Sequence, residues 1–189
     1  VSINLAITFA QAGKRVLLVD SDLRKPRLHK TFALPSNKGL TNLLAGDGEE
    51  RDVDVVYQTD VENLYVMPSG PRPPNPAEML ATDRMGALLK EMEQEFDQVI
   101  FDTPPVVNVT DASIMMNFVN GGLIVIRSFN TQRALAKRAC EVLQETRGTL
   151  LGAILNNGDL PKGAYGYDSY YYYSHYNYSY GESEEEPKK

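Results

Sequence analysis

The chain has 189 residues, 42% of them hydrophobic, enough for one core and too few for two. Its 25 acidic residues against 19 Lys and Arg give a net charge of −6, which argues against a nucleic-acid surface as its main business. A single cysteine excludes a disulfide framework, and no apolar run approaches a membrane span or a signal peptide.

Val1 to Ala12 places Ile3, Ala6, Ile7 and Ala10 at helical spacing, and Gly13 supplies a stop. The expected helix starts upstream of Val1, so the chain reads as a fragment. Next comes Val16 to Val19, an apolar run bounded by Gly13-Lys14-Arg15, which reads as a buried parallel strand. Charge begins where the strand stops. In open α/β sheets ligands bind beyond the carboxyl ends of strands, and an extended Asp20-Ser21-Asp22 sends both carboxylates to one side. Such a pair reads as a Mg²⁺ site, a base, or both; capping of a following turn is the plainer alternative.

The basic stretch Leu23 to Phe32 holds Arg24, Lys25, Arg27, His29 and Lys30, and reads either as a phosphate-neutralising segment or as a solvated helix face. A short helix is expected over Gly39 to Leu44, followed by an acidic, mobile connection from Gly46 to Asp54. Leu64 to Met67 reads as a strand, and the prolines between Pro68 and Pro76 dictate a stiff loop. Thr82 is expected to cap a helix through about Phe96, with Met85, Leu88, Leu89 and Met92 on one face.

Val99 to Phe101 repeats the earlier grammar, an apolar run ending in Asp102 and stopped by Pro104-Pro105. An aspartate after such a strand holds Mg²⁺ on the phosphates in P-loop NTPases. Asp111 opens a further helix, Asn120-Gly121-Gly122 breaks it, and Leu123 to Ile126 forms a strand. Thr131 is expected to cap a helix through about Arg147, inside which Cys140 is a small core residue suited to a reducing compartment. Leu150 to Leu155 completes the set. Strands alternating with helices predict an α/β fold, a mostly parallel sheet flanked by helices on both faces. Asn156 and the Arg127 to Thr131 segment lie where a nucleotide base would be met, although an asparagine before Asn-Gly is also an ordinary turn residue.

Past Leu160 there is no Leu, Ile, Val, Met or Phe, so residues 1–160 form the domain and 161–189 a flexible tail. Tyr165, Tyr167, Tyr170, Tyr171, Tyr172, Tyr173, Tyr176, Tyr178 and Tyr180 are nine of the chain's 11 tyrosines. Stacking on single-stranded nucleic acid would want basic residues between them, and Asp168 stands there instead. An adaptable binding surface and a set of phosphoacceptors are the remaining readings.

VLLVDSDLRKPRLHK resembles the Walker A′ segment of the bacterial tyrosine kinases of capsule and exopolysaccharide assembly, VIFDTPP their Walker B, and SGPRPPNPAEML a loop typical of that family. The group belongs with the MinD and ParA ATPases among deviant P-loop proteins. The resemblance implies ATP and Mg²⁺ as cofactors. Asp22 and Asp102 would organise the metal shell, Asp20 would orient or deprotonate the incoming tyrosine hydroxyl, and Arg24 would donate to the phosphates. It implies autophosphorylation of the tyrosine cluster in trans, within a ring-shaped homo-oligomer that phosphorylation disperses. Further implied partners are a transmembrane polysaccharide co-polymerase as activator, fused or separate, and a tyrosine phosphatase. The location implied is the cytoplasmic face of the cell membrane. The family's Walker A loop would lie immediately before Val1, so residues 1–189 alone are expected to be inefficient in catalysis. A MinD- or ParA-like ATPase switch is the alternative, but it would call for a basic amphipathic helix or a basic surface.

Overall fold

The computed structural model describes residues 1–46 and 55–158. The acidic connection from residue 47 to 54 and the tyrosine cluster lie outside the described residues.

Helix α1 (Ser2–Gln11) leads into strand β1 (Val16–Asp20), whose five residues are all buried. Two short helices follow, α2 (Leu28–Thr31) and α3 (Leu40–Ala45), then strands β2 (Tyr57–Gln58) and β3 (Leu64–Met67). Helices α4 (Pro76–Leu80) and α5 (Asp83–Glu95) precede β4 (Gln98–Asp102). The order closes with α6 (Asp111–Met115), β5 (Gly121–Arg127), α7 (Arg133–Gln144) and β6 (Thr149–Asn156).

Strand β1 is central because it pairs in parallel on both edges, with β3 through Val16↔Leu64 and with β4 through Val16↔Gln98 to Asp20↔Asp102. Its side chains alternate between two layers. Val16 and Leu18 pack with Ala6 and Ala10 of α1 and with Leu64 and Val66. Leu17 and Val19 pack on the other face with Leu43, Leu80, Met85, Leu88 and Met92 from α3, α4 and α5. A strand buried on both faces must be apolar throughout, which is why VLLV shows no polar alternation.

Several elements differ from the sequence expectation. Strand β2 runs antiparallel to β3, and β5 with β6 form a separate two-stranded parallel sheet, so the described strands fall into two sheets. Helix α7 covers one face of β5 and β6 through Ala139 and Leu143 against Ile124, while Leu123, Val125, Leu151 and Leu155 stay exposed. Residues 121–122 belong to β5 rather than breaking the chain before it. The proline-rich stretch ends in α4, with Pro76 in the first turn, where its missing N–H has no partner to lose. Thr82 occupies the cap position of α5 but donates its hydroxyl to the Met79 carbonyl, and α7 begins after Gln132, not Thr131.

Candidate active site

The registered pair Asp20↔Asp102 ends two adjacent parallel strands, so both carboxylates project to the same side of the sheet. That side is the one α1 covers. Ser2, in its first turn, donates its hydroxyl to Asp102 Oδ1 at 3.0 Å. The chain stays beside β4 for one residue more: Ser21 donates both its amide (2.9 Å) and its hydroxyl (2.7 Å) to the Asp102 carbonyl.

Asp20 is fully buried. Its Oδ2 accepts the amides of Arg27 and Leu28, each at 2.9 Å, and thereby satisfies backbone donors at the start of α2. Its Oδ1 is buried without a hydrogen-bond partner. Burial pushes the Asp20 carboxyl above the ordinary aspartate range; the two amides oppose that shift, and Asp102 and Asp22 reinforce it. Asp102 is raised as well, first by burial, with the Ser2 hydroxyl opposing and Asp22 adding to the rise. The strand ends thus hold like charges close enough to resist joint ionisation, a property of sites that receive a cation.

The extended path ends at Asp22. Its Oδ1 accepts the amides of Arg24 (3.2 Å) and Lys25 (2.9 Å), which folds the loop back on itself. Asp22 and Asp102 are half-buried, in contrast to Asp20. Asp20 is enclosed and its Oδ2 is taken by two amides, which leaves Oδ1 as its unpartnered oxygen.

Arg24 is not a free cation over the acids. Its Nε and Nη2 donate to Asp111 Oδ2 and Oδ1 at 2.8 and 2.9 Å, and this fork raises its pKa further. Asp111 was expected only to open a helix. Its partner comes from a loop 87 residues earlier, a distance that local patterning does not bridge.

Arg127 and Asn156 are brought together, as register partners at the carboxyl ends of β5 and β6. Their ends are tied by Ser128 N–H to the Asn156 carbonyl (2.8 Å) and by Arg127 N–H to Thr131 Oγ1 (3.2 Å). The phosphoacceptor tyrosines lie outside the described residues.

The donor set fits a magnesium-bound nucleotide. Among the described residues no three acidic, His or Cys side chains could hold a metal ion together. Mg²⁺ at phosphates needs only one or two carboxylates, with water and phosphate oxygens completing its shell. Asp102 and Asp22 are the residues that would supply those two, and the unpartnered Asp20 Oδ1 would add negative potential behind them.

Parallel strands ending in carboxylates, with helices on both faces of the sheet, define the class: an α/β nucleotide-binding domain of the P-loop type. Residues 1–137 match the AAA domain family. The chain is 44% identical over 165 residues to tyrosine-protein kinase YwqD of Bacillus subtilis, covering 87% of this chain and 69% of that protein. Against putative tyrosine-protein kinase CapB of Staphylococcus aureus the identity is 38%, with 90% and 72% covered. Tyrosine-protein kinase ptk of Acinetobacter johnsonii is 38% identical over 88% of this chain, which amounts to only 22% of ptk. The kinase domain of Escherichia coli tyrosine kinase ETK superposes with a TM-score of 0.80 at 32% identity, covering 88% of this chain and 64% of that one. MinD of Pyrococcus horikoshii, complexed with Mg-ADP, shares the fold with a TM-score of 0.67 at 24% identity, over 82% of this chain and 62% of its own. The chain belongs to the bacterial tyrosine-protein kinases.

Proposed function

We propose that this kinase phosphorylates its own C-terminal tyrosine cluster in trans, using ATP and Mg²⁺, and thereby regulates the assembly or export of a capsule or exopolysaccharide. The observation that carries the reading is the registered Asp20 and Asp102 pair beside Asp22, in a chain that also holds nine tyrosines within sixteen residues. In the transfer, a bond forms between a tyrosine Oη and the γ-phosphorus, the bond from that phosphorus to the bridging oxygen breaks, and ADP leaves. The phenol, with a pKa near 10, is a poor nucleophile at neutral pH, so its proton passes to a carboxylate of the cluster as the new bond forms. Mg²⁺, when bound, would supply charge stabilisation for the transferred group. Asp22 and Asp102 would hold that ion, Asp20 fixes the loop that carries Asp22, and Arg127 with Asn156 would frame the base.

The same reading places the protein at the cytoplasmic face of the membrane. A ring of identical subunits, a transmembrane co-polymerase activator and a tyrosine phosphatase are its partners. Phosphates at roughly −1.5 to −2 charges per tyrosine would drive subunits apart.

The test is incubation of the full-length protein with ATP and Mg²⁺, read by intact mass, beside an Asp20→Asn, Asp22→Asn double variant. Multiple phosphate additions after Leu160 that vanish in the variant support the reading. ATP hydrolysis without mass increase, even with an activator present, assigns the protein to the MinD-like switches.

A further inference from the structure

Asp111 stands out among the charged groups that the mechanism above does not use. Among the described residues it is one of two carboxylates with no solvent exposure, and it meets a guanidinium that remains 38% exposed. The contact is side-on: Nε–H and one N–H of Nη2 go to the two carboxylate oxygens. An arginine has five N–H donors in a rigid plane, so three remain, two of them on Nη1. Among the described residues no protein acceptor takes them.

Arg24 is also fixed from its own backbone. Its amide donates to Asp22, and the Asp22 charge further favours the protonated guanidinium. The side chain is therefore held at both ends, by Asp22 on the β1 loop and by Asp111 at the start of α6, beside the acidic strand ends. A guanidinium whose rotamers are already fixed loses little entropy when an anion arrives.

We propose that Asp111 is a positioning residue for phosphoryl transfer: it holds Arg24 side-on so that the remaining N–H groups meet phosphate oxygens of the nucleotide. Arg24 touches the phosphate; Asp111 acts through Arg24. The proposal rests on the kinase reading and deepens it.

The test uses the full-length protein in a double-mutant cycle of Asp111→Asn and Arg24→Lys. Thermal stability, ATP hydrolysis and phosphotyrosine formation are each followed, at a temperature well below every melting point. Asparagine retains one acceptor but loses the charge; lysine retains the charge but cannot fork. The expected result is a fall in kcat of about 100- to 1,000-fold for either single variant, on the order set by loss of one transition-state donor, with the KM for ATP changed less than about threefold. The double variant should be no slower than Arg24→Lys alone. Should either single variant fold poorly, Arg24→Met with Asp111→Leu replaces the buried pair by an apolar one, and it should keep the fold while showing the same low kcat. Melting points that fall while kcat stays within twofold of wild type would overturn the proposal, as would losses that multiply in the double variant. Hydrolysis is scored apart from phosphotyrosine, so a wild type that hydrolyses ATP without transferring phosphate would refute the kinase reading and leave the Arg24 cycle readable.

Discussion

Replacing Asp20 separates two jobs that its burial combines. In Asp20→Ala the amides of Arg27 and Leu28 both lose their acceptor. An unsatisfied buried donor costs about 1–3 kcal/mol; Leu28 bears it in full and Arg27, nearer the surface, recovers part from water, giving about 2–4 kcal/mol together. Relief of the buried charge, first its desolvation and then repulsion from Asp102 and Asp22, returns about 1 kcal/mol. Asp20→Asn enjoys the same relief and keeps a neutral acceptor for both amides, so its stability should lie within about 1 kcal/mol of wild type. Urea unfolding at pH 7 measures both, and the difference between the variants, about 2–4 kcal/mol, isolates the acceptor role. Equal stability of the alanine and asparagine variants would refute the claim that Asp20 holds the start of α2. On the proposed function both variants should lose phosphotransfer, since each removes negative charge from behind the carboxylates proposed to hold Mg²⁺.

Asp102→Asn should stabilise the domain at neutral pH while abolishing activity, because the Asn oxygen can still accept from Ser2. The sign follows from the raised folded-state pKa of Asp102: its favourable contribution is complete below the ordinary aspartate value near 3.9 and is lost as pH rises through the elevated folded value. Melting curves should therefore show the variant ahead at pH 7, by about 1 kcal/mol, and level with wild type near pH 3. A variant less stable than wild type at pH 7 would contradict this. Gly39→Ala should cost about 2–3 kcal/mol in urea unfolding, because a Cβ there would run into the Pro68 carbonyl oxygen and the Gly70 amide, backbone atoms with little room to give.

Sequence alone carried the central strands well. VLLVD and VIFD announce themselves because each is an apolar run with no polar alternation, β1 buried on both faces and β4 partly buried throughout, closed by an acid at the strand end. The helix over residues 83–95 was legible for a related reason: Met85, Leu88, Leu89 and Met92 all turned inward. What failed was chemistry decided by distant partners. Thr131 has the composition of a cap, yet its hydroxyl accepts the Arg127 amide. Gly121 and Gly122 read as a break, but they extend β5 where Leu151 and Met116 leave no space for a Cβ. In the site, the three aspartates were visible and their hydrogen-bond partners were not. Which oxygen of Asp20 is occupied, and which acid holds Arg24, depends on loops that meet only in the folded chain.

The placement of β1 between two parallel partners also governs how the chain must be made. Leu17 cannot complete its pairing until Val99 has been synthesised, roughly 80 residues later, which at typical translation speeds is about 4–16 s. During that interval the most apolar segment of the domain has at most one neighbour, from β3. High sequence separation of this kind slows folding, and an unpaired apolar strand invites intermolecular pairing. Production of this domain is therefore expected to be limited by the time its central strand spends waiting, and slower synthesis at lower temperature or added chaperone should raise the soluble yield more than any change in the finished core.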